Sequence, residues 1–335
     1  MGRGGELHNC NWKKCFYDVE ENAMMGGWFQ RKTSRISHMG HVRDKKDWTL
    51  DVIVMLAIML IVGDEYKEGD SDMMFPFINR LRCADASTYL NNAIKEARGH
   101  AEGLNPASTS HHARYGALSD IQHCKDLDFI DGIFRGKWFF QGECTGLSYA
   151  DKAPGCLRAG KALAGWKECK NEIISLDAFE LIDELMGDST DANDAESKVM
   201  FQNKLDNFAG ILFKGLPYCQ KKEEHLYKMR NIFLTAIIEM TPKIIADLKV
   251  FHNDDKYVDI FEKRLKHSLA MVQIDWSEFL RWSATVSKTS LCLLYAMFCS
   301  RRNVLKYSFS DFFYLRSINS VKLNCLNMIN TVMRC

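Results

Sequence analysis

Thr49-Leu-Asp-Val-Ile-Val-Met-Leu-Ala-Ile-Met-Leu-Ile-Val62 is apolar on every face once past Asp51, so this stretch belongs in an interior. Periodicity alone does not separate a buried helix from a buried strand, but the Met, Leu and Ala content favours helix. The uninterrupted apolar run, Val52 to Val62, is too short to span a bilayer, and Leu291 to Cys299 is shorter still, so no transmembrane segment is expected.

Outward from this run the chain reads as helical. It has 335 residues with only 5 prolines, and its long stretches without Pro or Gly favour helices over strands. Phe77, Ile78, Leu81, Leu90 and Ile94 fall at spacings near three and four within 75–98, ahead of Gly99. A Gly, Asn, Pro and Ser rich loop is expected over 100–112, then short helices over 115–140. Further helices are expected over 157–174 and 177–186, the second opened by Asp177 with Glu180 at capping-box spacing. Beyond these, helices should cover 195–213, 221–240, 242–251, 256–272, 276–300 and 310–333, with Thr241-Pro242 as a start signal. The expected fold is all-α, a large helical bundle or two helical lobes with an irregular N-terminal arm.

Four segments divide the chain: an irregular Cys/His-containing basic arm at 1–48, an N-terminal helical lobe at 49–187, an acidic linker at 188–196 and a basic C-terminal lobe at 197–335. The charge supports the division. Residues 1–50 carry 9 basic and 6 acidic side chains, 51–170 carry 14 and 16, 171–210 carry 2 and 10, and 211–335 carry 19 and 11, although the whole chain is only +1. An acidic middle beside a basic final third points to a polyanionic partner or to association between unlike faces. Solvated helix faces with no partner explain the same runs.

The 12 cysteines are scattered without a compact framework, and the N-terminal residues lack the apolar core of a signal peptide. Reduced thiols in an intracellular, cytoplasmic or nuclear compartment are therefore expected. Cys10, Cys15, His38 and His41 supply two thiols and two imidazoles on the ends of the arm, the ligand types of a tetrahedral structural zinc, although two residues between the histidines is short. Ordinary thiols and surface histidines are the simpler alternative.

Gly155-Cys-Leu-Arg-Ala-Gly-Lys-Ala162 has phosphate-loop spacing until its last position, where alanine replaces the magnesium-binding hydroxyl, and no aliphatic strand precedes it. A chance match is expected. Asp188, Asp191, Asp194 and Glu196 lack the alternation and central glycine of a calcium loop.

Two acidic groups flank helices: Asp64, Glu65 and Glu68 after the apolar run, and Asp254, Asp255, Asp259 and Glu262 at another helix start. Carboxylates from facing helices can hold magnesium and a diphosphate, because hard cations prefer oxygen. In outline this layout resembles the class I terpenoid and prenyl synthases. That resemblance implies an all-α lyase or transferase acting on a prenyl diphosphate with magnesium. The chain departs from the family's pattern, with Asp-Glu-x-x-Glu in place of the aspartate-rich motif and no central Ser or Thr in the second. Acidic first turns that complement helix dipoles account for the same residues.

Cations and aromatic residues interleave through the last third. Lys221, Lys222, Lys228 and Arg230 precede Lys263, Arg264, Lys266 and His267, then Arg281 beside Trp282, then Arg301, Arg302, Lys306 and Tyr307, with Phe309, Phe312, Phe313, Tyr314 and Arg316 beyond. Cations for phosphates and ring faces for bases are what a single-stranded nucleic acid requires. The leading expectation is a non-enzymatic protein that self-associates and binds RNA or another polyanion, in the manner of a nucleocapsid-type or assembly protein. A magnesium-dependent enzyme and a structural subunit of a larger complex are the alternatives.

Overall fold

A computed structural model describes residues 10–63, 73–75, 109–136, 153–164, 192–216 and 223–286, except 19–20, 22, 31–34, 45–47, 126, 215, 253–255 and 285; it also describes Thr88, Asn91, Asn92, Ile94 and Lys95, all helical. The described chain is mostly helical. The helices expected over 177–186 and 310–333 lie outside it.

The N-terminal segment departs from the irregular arm expected there. Beyond a short 3-10 turn, Trp12–Lys14, it forms an antiparallel sheet of β1 (Phe16–Asp18), β2 (Ala23–Gln30) and β3 (Arg35–His41), in the order β1-β2-β3. Met24 faces His41, Gly26 faces Met39 and Gln30 faces Arg35. The turn lies directly on β2: a Cβ at Gly27 would stand 2.3 Å from the Lys14 carbonyl oxygen, and the Asn11 N–H donates to Gly27 O at 3.1 Å. Only glycine permits that approach.

The apolar run is helix α1 (Val52–Val62). Asp51 ends the extended chain and caps it, its Oδ1 accepting from the N–H groups of Ile53 and Val54 at 2.9 and 3.1 Å. Ile53, Val54 and every residue from Leu56 to Val62 are buried, each of them except Ala57 contributing about 1.5–3 kcal/mol of transfer free energy.

The elements that follow are α2 (Ser110–His123), α3 (Phe129–Gly136), α4 (Ala153–Leu163), α5 (Ala192–Leu212), α6 (Glu223–His252), α7 (Lys256–Met271) and α8 (276–284). Besides α4, which starts at Ala153 rather than 157, three boundaries differ from expectation. Helix α2 starts inside the expected loop, where His112 Nδ1 accepts from the Thr109 backbone N–H at 3.1 Å. Helix α5 starts at Ala192 rather than Ala195, so Asp194 and Glu196 sit in it instead of in a linker.

The third concerns α6, which runs unbroken through Thr241-Pro242, where a new helix was expected. Pro242 has no N–H for the helix ladder. Ile237, Ile238 and Ile244 are buried on both sides of it, and Thr241 donates its hydroxyl to Ile237 O at 2.6 Å. Tertiary burial overrides the local signal for a new helix.

Helices α1, α5, α6, α7 and α8 share one apolar core. Phe233 meets Trp12 edge-on at 6.5 Å and Phe213 at 5.5 Å, while Phe208 meets Phe279 at 5.9 Å. Trp12 thus anchors the sheet segment in the helical core. Helices α3 and α4 pack on one another and α4 on β3, around a small cluster of Met39, Phe134 and Cys156.

Candidate functional site

Helices α7 and α8 carry the described part of the basic constellation. A tight reversal joins them: Ile274 N–H donates to Leu269 O at 3.0 Å and Gln273 N–H to Ala270 O at 3.2 Å, with Gln273 left-handed at φ 57°. This is the Schellman arrangement, in which buried Ile274 and Leu269 supply the accompanying apolar contact. Asp275 then caps α8, accepting from the Ser277 backbone N–H at 2.8 Å, and those hydrogen bonds from Ser277 hold its carboxyl below the ordinary aspartate value.

The turn brings Trp276 under α7. Lys266 Nζ lies 4.9 Å from the Trp276 ring centroid and pairs with Glu262 at 2.8 Å. Lys263, Lys266, His267 and Arg281 are exposed on these two helices. Arg281 Nη2 lies 3.9 Å from a carboxylate oxygen of Glu278. Trp276 is half-buried and stacks on Phe279 at 5.6 Å. Phe279 and Trp282 turn inward, while Phe309, Phe312, Phe313 and Tyr314 lie outside the described residues. Trp282, expected beside Arg281 as an accessible ring, is buried edge-on against Phe201 at 4.8 Å.

Arg264 is spent differently from the expectation for it. Its Nη1 donates to the carbonyl of Ile61 at 2.9 Å, satisfying the C-terminal end of α1 with a cation. Lys228 and Arg230 are half-buried on α6, and burial pulls the Arg230 guanidinium below its ordinary pKa. Lys221, Lys222, Arg301, Arg302, Lys306, Tyr307 and Arg316 lie outside the described residues.

Of the carboxylates in the magnesium reading, Asp64, Glu65, Glu68, Asp254 and Asp255 also lie outside the described residues. Asp259 is exposed in the first turn of α7, and Glu262 is engaged by Lys266.

The four zinc candidates fall at the sheet. Cys10 is half-buried against the cluster of Met39, Phe134 and Cys156, and Cys15 is buried with its thiol donating to Asn11 O at 3.3 Å. Positions 38 and 41 are three apart on β3 and so occupy opposite faces of the strand. Burial, with the positive charge of Arg135 nearby, pushes the His41 imidazole down to about 3, so it is neutral at ordinary pH. Among the described residues no three His, Cys, Asp or Glu side chains gather as a metal ion requires. The phosphate-loop lookalike is helix rather than loop, and Lys161 pairs with Glu21 at 2.6 Å instead of facing a ligand.

The polar groups that sequence reasoning missed are long-range clamps. Arg43 donates to Asp51 at 2.6 Å and to Glu239 at 2.9 Å; burial opposes its charge, but the two carboxylates outweigh that and raise its pKa. Trp48 Nε1 donates to Asp247 at 2.7 Å. Arg135 donates to Gly40 O at 2.6 Å, and Arg158 pairs with buried Asp131 at 2.7 Å. Asp51, directly before an apolar run, carried a readable cap signal; the clamp pairs Arg43–Glu239 and Trp48–Asp247, 196 and 199 positions apart, carried none. Among the described residues no helix is long and apolar enough to cross a membrane. Comparison with known protein families, curated proteins and solved structures finds no match to this chain.

Proposed function

We propose that this chain is a non-enzymatic helical protein of a cytoplasmic or nuclear compartment that associates with copies of itself and binds RNA or another polyanion through the surface of α7 and α8. One observation carries the reading: Lys263, Lys266 and Arg281 are exposed on two helices joined by a tight turn, with the half-buried Trp276 ring beneath Lys266. Exposed cations meet phosphates, and a half-buried ring lies at their base, the two residue types that a single-stranded nucleic acid uses. The acidic segment 171–210 gives a second copy a complementary charge.

The test is fluorescence anisotropy with single-stranded RNA at two salt concentrations. Three phosphate contacts give a log–log salt slope of about −2 for a single strand. The triple variant K263E/K266E/R281E should bind at least tenfold more weakly while keeping its helical circular dichroism. Binding that ignores salt, or that survives the triple variant, rejects the reading.

A second reading, a magnesium-dependent lyase or transferase acting on a prenyl diphosphate, is favoured by the Arg264 contact. It fixes Ile61, three positions before Asp64, against the helix that carries Asp259 and Glu262. Its test is magnesium-dependent release of pyrophosphate from a prenyl diphosphate. Silence in both assays leaves the structural-subunit reading.

A further inference from the structure

Helices α5 and α6 meet at a seam where polar groups are left unmatched. Gln202 on α5 donates its Nε2 to Asp206 Oδ1 at 2.9 Å and to the Tyr227 hydroxyl oxygen at 3.1 Å. Asp206 fixes that orientation, because the flipped amide would set its oxygen against a carboxylate that only accepts. The Gln202 Oε1 is therefore left buried with no donor among the described residues. Arg230 stands three positions after Tyr227, on the same face of α6. Its Nε is buried with no acceptor among the described residues, and no carboxylate there forms an ion pair with its guanidinium.

A half-buried guanidinium whose Nε lacks an acceptor, one helix away from a buried oxygen without a donor, leaves two polar needs unmet, whereas buried polar groups in folded chains are nearly always matched. The two unmet needs are complementary. We propose that Arg230, Gln202 and Tyr227 form a half-buried site for one phosphate group, the guanidinium meeting its anionic oxygens and Gln202 Oε1 accepting from its P–OH. Asp206, held by the Gln202 amide, stands one turn along α5 and disfavours a fully ionised guest, so the seam selects an oxyanion that keeps a proton at neutral pH. Inorganic phosphate does and sulfate does not; phosphomonoesters, with a second pKa of about 6, do so only on the acid side of neutrality. This site does not rest on the polyanion reading, since it takes a single group at a helix seam rather than a strand along an exposed face.

Isothermal titration of the full chain with inorganic phosphate at pH 6.5, in buffer of fixed ionic strength, tests it. Saturable binding of about one phosphate per chain is expected, at least tenfold tighter than sulfate. Arg230→Gln should weaken it more than tenfold, and Arg230→Lys, which keeps the charge but loses the fork, should weaken it by less. Gln202→Leu should reduce the preference for phosphate over sulfate while leaving sulfate binding unchanged. Should Arg230→Gln fail to fold, Arg230→Lys and Gln202→Leu carry the test. Equal responses to phosphate and sulfate, or binding that survives Arg230→Gln intact, overturn the proposal. Competition then separates the sources: displacement of phosphate by a 5′-phosphorylated oligonucleotide but not by its 5′-hydroxyl form identifies a strand end, and displacement by neither identifies a free small phosphate. If the triple α7–α8 variant loses RNA binding but keeps phosphate binding, the two sites are independent, and either can fail alone.

Discussion

The sheet with α3 and α4 and the helical region of α1, α5, α6, α7 and α8 are held together by different physics. In the helical region the contacts are mainly aliphatic and aromatic, with the Arg43–Asp51–Glu239 clamp and the Arg264–Ile61 contact as polar additions, and α1 has nine of its eleven residues buried. Around the sheet the apolar cluster is small, and much of the inter-element contact is polar: Lys161 to Glu21, Arg158 to Asp131, Arg135 to the Gly40 carbonyl. Burial of apolar area supplies free energy but little direction, whereas buried ion pairs add little net stability and fix which element meets which. The helical region should therefore set how stable the protein is, and the sheet region how unique its arrangement is.

The largest test of that contrast is Phe233→Ala. It deletes the ring between Trp12 and Phe213 and should cost about 3–5 kcal/mol, read as a shift of the urea midpoint with little change in slope. In the sheet region, Glu21→Leu takes the carboxylate from buried Lys161 and should cost about 1–3 kcal/mol, discounted because Glu21 is itself 39 % exposed. Adding Lys161→Met should recover most of the loss. A double variant as unstable as the single one would mean that the pair contributes stability rather than specificity.

Acid should also separate the two regions. His41 titrates near 3 in the folded chain and near 6.5 once unfolded, so the unfolded state takes up the proton first. Its contribution is complete above about pH 6.5 and falls as the pH drops towards 3, by at most about 1.4 kcal/mol per pH unit, less the share of the ring that solvent reaches. His41→Gln should flatten the stability–pH curve across that window, measured by urea melts at several pH values. The smallest effect is expected at the α7–α8 turn, where Gln273→Gly removes a left-handed side-chain penalty and should raise stability by about 1 kcal/mol in the same melts.

Much of the helical region was legible because its signals are local. Val52 to Val62 announces an interior helix by composition, and α7 runs within a residue of the expected 256–272. The sheet was not legible. Ala23-Met-Met-Gly-Gly-Trp-Phe-Gln30 carries two glycines and low strand propensity, and its pairing with β3 is a tertiary decision. At Thr241-Pro242 a new helix was expected, but the local signal is outvoted by buried isoleucines on both sides and the helix runs through. The candidate surface was legible as composition alone. Sequence placed Lys263, Arg264 and Lys266 together, but only the fold sends Arg264 to the end of α1 and Trp282 into the interior, because both depend on which helix lies alongside.

The separation of α1 from its partner helix also governs how the chain is made. Helix α1 ends at Val62, and the residues of α6 that cover it begin about 170 positions later. At bacterial or eukaryotic elongation rates of about 5–20 residues per second, an apolar rod with no polar face waits roughly 10–30 s on the ribosome for its cover. Nascent chains of this protein should consequently be heavy clients of ribosome-associated holdases, and slowing translation between α1 and α6 should lower the soluble yield.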